Sequence, residues 1–324
     1  MHKVPVGVLG ASGYAGRELC GLIAAHPRLE LTFAGANEQR GQRARIGPTE
    51  ITYVAADDAP LSEAEVVFTA LPHGASSKWV RNARASGARV VDLSSDFRPG
   101  VADDSNGSAA PYGLTELMRA RIPGAEIVAN PGCYPTAILL ALAPLLKEGW
   151  ALPGATINVS AASGVTGAGY SVRPELLFAE VAEDFRAYAV GNEHRHLAEM
   201  RAVAKDLGAK DNDILFTPHL LPVARGILAT ITIAIKEPVE DPSELWRDCY
   251  RGEPFIEIAE QPPSLRDVVR RNVVRMSIGK AANVRQPTLI IISAIDNLMK
   301  GAAGQALQNA NVLLGLGEQM GLPA

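Results

Sequence analysis

The sequence predicts a two-domain α/β protein, and three observations carry that prediction. The chain has 324 residues with 47% hydrophobic content, enough apolar mass to fill more than one core. Before Cys133, short β-branched runs alternate with segments of helical spacing, the pattern of a parallel sheet covered by helices. After Cys133 the strands lengthen and many alternate polar with apolar positions, which requires a second sheet.

Taken in order, residues 4–9 read as a short buried strand, 17–25 as a helix and 29–34 as a second strand, together one βαβ unit. Residues 66–70 and 89–93 are further β-branched strands, and the polar stretch 76–86 between them has helical spacing. Residues 156–160, 227–235 and 288–295 supply the second sheet. Residues 299–314 return to helical spacing, with Gly301 and Gly304 suited to close packing. The stretch 99–111, rich in Asp, Ser, Gly and Ala, and the pair Pro262-Pro263 read as exposed loops.

Composition excludes several function classes. Lys and Arg total 31 against 35 for Asp and Glu, so the net charge is -4 and no basic excess exists for nucleic acid. Three cysteines, Cys20, Cys133 and Cys249, lie far apart and are odd in number, which argues for a reducing compartment rather than a disulfide framework. No close Cys or His spacing suggests a metal site. The apolar start is cut by Gly7 and Gly10 and is too short for a secretion signal. The longest apolar run, 137–146, is interrupted by Pro144 and falls short of the ~20 residues of a membrane span. A cytoplasmic protein without membrane or nucleic-acid partners is expected.

The first strand runs into Gly10-Ala11-Ser12-Gly13-Tyr14-Ala15-Gly16 and then a helix, an order that lets backbone N–H groups and a helix N-terminus hold a pyrophosphate. The spacing is G-x-x-G-x-x-G rather than G-x-G-x-x-G, so placement at the first βα junction is what points to a nicotinamide dinucleotide. The second strand ends in Gly35-Ala36-Asn37, where an NAD site presents a carboxylate, and Arg40 and Arg43 follow. Arginine suits the 2′-phosphate of NADP; Glu38, in the same turn, is the residue that would instead take ribose hydroxyls.

Asn130-Pro131-Gly132-Cys133-Tyr134-Pro135-Thr136-Ala137 places a cysteine after a Pro-Gly turn at the head of an apolar helix. The partial positive charge and free N–H donors there lower a thiol pKa and receive an oxyanion beside the sulfur, so Cys133 is the candidate covalent nucleophile. Cys20 and Cys249 lie in helical segments with no such turn and read as structural. The candidate base comes from Asn192-Glu193-His194-Arg195-His196, at the head of a helix through Leu207. At about 100° per residue, His194 and His196 point different ways; His194, at the edge of the apolar stripe in the first turn, is the expected base, and His196 the expected core histidine. The run from Ser163 and Gly164 through Gly167 and Gly169 suits close backbone approach to a ligand, or a tight surface turn. Arg98 and Arg225 follow apparent strands, in position either to anchor a carboxylate or phosphate or to form exposed ion pairs.

Together with Ala70-Leu71-Pro72-His73-Gly74, Asp92-Leu93-Ser94-Ser95-Asp96-Phe97-Arg98, Phe216-Thr217-Pro218-His219 and Asp296-Asn297-Leu298-Met299-Lys300-Gly301-Ala302-Ala303-Gly304, these motifs resemble the N-acetyl-γ-glutamyl-phosphate reductase family over nearly the whole chain. The resemblance implies an arginine-biosynthesis enzyme that uses NADPH to reduce N-acetyl-γ-glutamyl phosphate to the semialdehyde and inorganic phosphate, through a thioester. It implies an N-terminal Rossmann-type domain, residues 1–132 completed by 298–324, and a central α/β catalytic domain of semialdehyde-dehydrogenase type, residues 133–297, in a homo-oligomer, dimer or tetramer. It carries the nucleophile onto Cys133, the base onto His194 and the NADP contacts onto Gly10, Ser12, Gly13, Tyr14, Pro72 and Asn297. Arg98 or Arg225, with Ser163 and Gly164, are expected to hold the substrate.

The chain departs from the family pattern in shorter loops after Arg43 and Arg98, in Thr115 where Pro or Ala is usual, in Ala198 after the H-R-H run, and across residues 270–285. Aspartate-semialdehyde dehydrogenase would use the same chemistry, but Tyr134 and Pro135 after the cysteine point away from it. A carrier-linked acyl phosphate is disfavoured by the negative net charge and by Asp103 and Asp104 in the loop after Arg98. A non-catalytic NADP-sensing protein would leave the Cys133 turn and His194 unexplained.

Overall fold

Val6, Val8 and Leu9 are fully buried in β1 (Val4–Leu9), which pairs in parallel with β2 (Leu29–Gly35) across the intervening helix α1 (Tyr14–Ala25). The computed structural model describes residues 2–46, 49–102 and 110–324, and the chain divides into two units. Asp103 and Asp104, invoked above against an acidic carrier, lie outside the described residues. The first unit comprises Met1–Gly132 and Ala302–Pro323, the second Cys133–Gly301 with the terminal Ala324.

The first unit adds β3 (Arg43–Ile46), β4 (Thr49–Val54), β5 (Val66–Thr69), α2 (Ser76–Ala85), β6 (Arg89–Asp92), α3 (Thr115–Met118) and β7 (Ile127–Ala129). Its sheet runs β3-β4-β2-β1-β5-β6-β7, with every neighbouring pair parallel except β3 and β4. The order reverses at β1, the place where open α/β sheets bind their ligands. The helix α1 starts at Tyr14, earlier than its apolar spacing suggests, so its N-terminus lies within the glycine run and Gly16 is already helical.

The second unit begins with α4 (Cys133–Lys147), followed by β8 (Ile157–Gly164), α5 (Phe178–Val181), β9 (Arg186–Ala187), α6 (His196–Leu207), β10 (Ile214–Leu221), β11 (Ile227–Ala234), α7 (Ser243–Cys249), β12 (Ile256–Ile258), β13 (Val274–Lys280) and β14 (Thr288–Ile295). These strands form a mixed sheet in the order β12-β13-β14-β11-β8-β10-β9. In β11 the buried residues Ile227, Ala229, Ile231 and Ile233 alternate with half-buried ones, as a sheet with one face on a core requires.

Every residue of α4 from Tyr134 to Leu146 is buried, and Pro144 stands inside the helix. Proline has no N–H for the carbonyl one turn back, which is that of Leu140. The Tyr250 hydroxyl donates to the Leu140 oxygen at 2.5 Å and supplies the missing bond, while the Trp246 indole N–H donates to the Ala141 oxygen at 2.9 Å.

A single π-helical turn, Met299–Ala303, leads into α8 (Gly304–Leu313), whose apolar face joins the first unit's core. Ala306, Leu307, Ala310 and Leu313 pack in one cluster with Val6, Leu19, Ile23 and Phe68. The polar face of α8 is equally buried, and its buried amide atoms apart from Gln305 Oε1 find hydrogen-bond partners. The Asn309 amide donates to the Gly113 oxygen at 2.8 Å and to Asn130 Oδ1 at 2.9 Å, and the Thr115 hydroxyl donates to Asn309 Oδ1 at 2.7 Å and accepts from Gln305 at 2.7 Å. Thr115, a departure from the family pattern, therefore joins two buried amides through one hydroxyl.

Candidate active site

Cys133 is the first residue of α4 and is half-buried, so its sulfur sits where the helix leaves N–H groups without intrahelical partners. The other two thiols have different surroundings. Burial pushes the Cys20 thiol up to about 12, and desolvation raises that of the exposed Cys249 against the opposing pull of Lys147. Gly301 presses against the candidate nucleophile: a Cβ built there would lie 2.8 Å from the Cβ of Cys133. The π-type bond from Gly301 N–H to the Asp296 oxygen, 2.9 Å, holds that backbone in place.

Cys133 opens onto a cavity of about 360 Å³ within the second unit, large enough for a small metabolite. Ser163 and Gly164, at the end of β8, line it together with Tyr134, Tyr188, His194 and His196. Gly164 is a glycine for packing reasons, since a Cβ there would meet the Val223 and Ala224 oxygens and the Arg225 nitrogen at 2.8 Å.

His194 and His196 do not point in different directions as two neighbouring helical positions would, because α6 begins only at His196. His194 stands in the turn before it, and the two rings lie 4.9 Å apart with both lining the cavity. His194 is held neutral by its surroundings. Burial lowers its pKa to about 4, and the charge of Arg195 adds to the effect. Its Nδ1 accepts the His196 backbone N–H at 3.1 Å. Around it, the rings of Tyr134 at 5.3 Å, Tyr188 at 5.7 Å and Phe216 at 5.3 Å stand edge-on. The phenols of Tyr134 and Tyr188 hydrogen-bond each other at 3.1 Å, and burial raises the pKa of both, Tyr188 to about 12.

The arginines of the cavity are Arg173, Arg186 and Arg195. Arg186 is engaged by the Asp184 carboxylate and the Glu175 and Glu180 carbonyls. Among the described residues the Arg173 side chain has no hydrogen bond or ion pair. The two arginines expected at the substrate do not line this cavity. Arg225 donates to the buried Asp296 carboxylate at 3.3 Å. Arg98 belongs to the first unit, is 3% exposed, and donates to the Asn130 oxygen at 2.8 Å and the Leu93 oxygen at 2.6 Å.

In the first unit, Gly10 has φ +82° and a Cβ there would collide with the Ala70 carbonyl; one at Gly16 would collide with the Gly10 carbonyl. These two glycines are dictated by the turn. At Gly13 nothing lies nearer than 3.5 Å, and Gly13 caps α1 without a side-chain bond or an acidic residue in the first turn. The loop thus keeps open the approach to an uncapped helix N-terminus, which fits a dinucleotide phosphate. Ser12 is half-buried and Tyr14, Arg40 and Pro72 are exposed. Beside Pro72, the Asp96 carboxylate caps α2, accepting from the Gly74 N–H at 2.7 Å, Ser76 N–H at 3.1 Å and Ser77 N–H at 3.2 Å. Asn297 lies in the second unit, 2% exposed, where its amide accepts from the Gly226 N–H at 2.8 Å and donates to the Thr166 hydroxyl at 2.9 Å.

Sequence reasoning did not reach Tyr188 and Arg173, which come from an irregular segment without periodicity or motif. Tyr134 was visible only as the neighbour of Cys133.

Residues 5–125 match the family model described as the NAD binding domain of semialdehyde dehydrogenase, and residues 133–297 match its dimerisation domain. The chain is 41% identical to an N-acetyl-gamma-glutamyl-phosphate reductase of Symbiobacterium thermophilum, over 98% of this chain and 97% of that one. It is also 38% identical to the reductase of that name from Neisseria gonorrhoeae, over 99% and 98%. Among solved structures it resembles aspartate semialdehyde dehydrogenase II of Vibrio cholerae, with TM-score 0.77, 19% identity and coverage of 97% and 99%. No helix among the described residues is long and apolar enough to cross a membrane.

Proposed function

Since the chain belongs to the N-acetyl-γ-glutamyl-phosphate reductases of the semialdehyde dehydrogenase family, we propose that it reduces N-acetyl-γ-glutamyl phosphate to the semialdehyde and inorganic phosphate with NADPH, a step of arginine biosynthesis. The observation that carries this reading is the meeting of Cys133, at a helix N-terminus, with His194 in one small-molecule cavity.

The Cys133 thiolate adds to the acyl carbon, the α4 N-terminus receiving the charge that develops on oxygen. The carbon–oxygen bond to phosphate then breaks, phosphate leaves with the electron pair, and the acyl group remains as a thioester on Cys133. Gly10, Ser12, Gly13, Tyr14 and Pro72 of the first unit and Asn297 of the second are the residues that would hold the dinucleotide, which when bound would supply the hydride. The thiohemiacetal so formed on Cys133 collapses, breaking the carbon–sulfur bond and restoring the thiolate. His194 attends the sulfur and the oxygen of both tetrahedral adducts, and the Tyr134–Tyr188 pair walls it from water. Arg40, exposed after β2, reads the 2′-phosphate of NADP. Arg173, which has no hydrogen bond or ion pair among the described residues, offers the cavity's anion contact.

A homo-oligomer is part of this reading. Val172, Leu177, Phe178 and Val190 are 87%, 52%, 85% and 60% exposed, on a segment that also walls the cavity and lies within the matched dimerisation domain. A second copy covers them, so Phe178→Asp should shift the protein to monomer in sedimentation velocity. The three free cysteines and the biosynthetic reaction support a cytoplasmic location.

In the reverse direction, purified enzyme given N-acetyl-glutamate semialdehyde, phosphate and NADP should form NADPH, with aspartate semialdehyde a far poorer substrate. Cys133→Ser should abolish turnover while NADPH binding persists. Substantial turnover by that variant would overturn the covalent route.

A further inference from the structure

His194 lines the same cavity as Cys133 and is expected to take the proton of the thiol, but its hydrogen bond favours another arrangement. A backbone N–H can only donate, so the bond from His196 N–H makes His194 Nδ1 an acceptor, and a neutral imidazole bonded in this way carries its single proton on Nε2. Three further features keep the ring from taking a second proton. Arg195 is its immediate neighbour, the rings of Tyr134, Tyr188, His196 and Phe216 surround it, and an incoming proton on Nδ1 would face the His196 N–H.

We infer that His194 enters the reaction as a fixed Nε2–H hydrogen-bond donor to the Cys133 sulfur and to the oxygen of its acyl adducts, and not as the acceptor of the thiol proton. The inference rests on the covalent reading of Cys133 given above. The reaction does not need a proton acceptor there. As the thiolate that the α4 N-terminus favours, the sulfur gives its electron pair to the acyl carbon and recovers it when the carbon–sulfur bond breaks. The one proton consumed in each reductive turnover ends on the departing phosphate, taken from water. A neutral donor stabilises the thiolate, the alkoxide of each adduct and the carbonyl between them without changing its own protonation. Tyr134, Tyr188 and His196 are then positioning residues: two walls hold the ring, and one N–H selects its tautomer.

Two measurements test this. In wild-type enzyme labelled with 15N-histidine, with the His194 signals assigned by their loss in a His194 variant, the resting enzyme should show a protonated Nε2 and a bare Nδ1. A proton on Nδ1 would overturn the inference, and this readout does not depend on finding the right substrate. In turnover, His194→Gln places an amide N–H where Nε2–H stands, whereas His194→Asn places its amide at the Nδ1 position. The Gln variant should retain at least about tenfold more activity than the Asn variant. Equal and complete loss in both, with folded protein, would return His194 to the role of proton acceptor. Loss of the acyl-phosphate activity itself in wild type would instead strike at the proposed substrate and leave the tautomer measurement standing.

Discussion

Gly301 has no side chain, and the space a Cβ would take is already held by the Cβ of Cys133, Ile295 and the Asp296 carbonyl. Its backbone is not in the left-handed region, so an alanine there meets a packing conflict and not a conformational one. Gly301→Ala should push Cys133 from its place at the head of α4. The expected result is a fall in kcat of at least about tenfold with KM for NADPH unchanged, since displacement of a reacting atom by a fraction of an ångström removes alignment. The alkylation rate of Cys133 by iodoacetamide should change in parallel, which a general loss of stability would not produce. At this scale the sequence was most informative where chemistry and local geometry coincide. Cys133 stood out because Pro-Gly before it and an apolar helix after it announce an exposed helix start. His194 stood out by its company, although the reason given for choosing it over His196 fails because both precede or open α6 and face one cavity. Arg98 and Arg225 carried the right charge, but their engagement by carbonyls and by Asp296 depends on folding that no spacing records.

Among the elements, α4 shows how a local rule can be broken when a distant residue repairs it. Pro144 leaves the Leu140 carbonyl without its helical donor, and Tyr250, from the end of α7, provides one. Tyr250→Phe should leave that carbonyl buried and unbonded, lowering stability by about 1–3 kcal/mol in urea unfolding, with little change in KM for either substrate. In the first βαβ unit β1 was legible because an apolar run met glycine at the turn, and β2 because Leu29, Leu31 and Phe33 alternate with Glu30 and Thr32 before Gly35. The β3–β4 hairpin was not, because Arg43 and Arg45 alternate with apolar residues on an exposed edge and resemble a loop. Pro218 similarly disguised β10, and β13 falls in a stretch where the family pattern is weak. The polar, fully buried face of α8 defeats periodicity altogether, since Gln305, Gln308, Asn309 and Asn311 read as solvent-facing until their partners are seen.

For the whole molecule, the buried histidines couple stability to acidity. The folded-state pKa of His194 is about 4 against 6.5 for the free side chain, and His26 is lowered by burial as well. Between those values the unfolded chain binds protons that the folded one refuses. The contribution is therefore absent above about pH 7 and grows as a penalty while the pH falls toward 4. At about 1.4 kcal/mol per pH unit, His194 alone withdraws about 2 kcal/mol between about pH 6.5 and pH 5. Urea midpoints for wild type and His194→Gln should diverge over this interval, the variant losing less stability on acidification. A parallel decline in the two proteins would show that the imidazole is protonated in the folded state.

The discontinuity of the first unit also has a temporal meaning. Residues 302–323 supply Ala303, Ala306, Leu307, Ala310 and Leu313 to a core whose other members emerge from the ribosome before the whole of the second unit does. The segment translated first is therefore the one that closes last, waiting with an uncovered apolar surface while Cys133–Gly301, contiguous in sequence, is free to fold. Elongation arrested before residue 302 should leave a nascent chain that resists protease from Cys133 onward and is cut readily before it. Binding of a trigger-factor-like chaperone should be concentrated on the early strands, from Val4 to Asp92, and be released only after the last helix has been made.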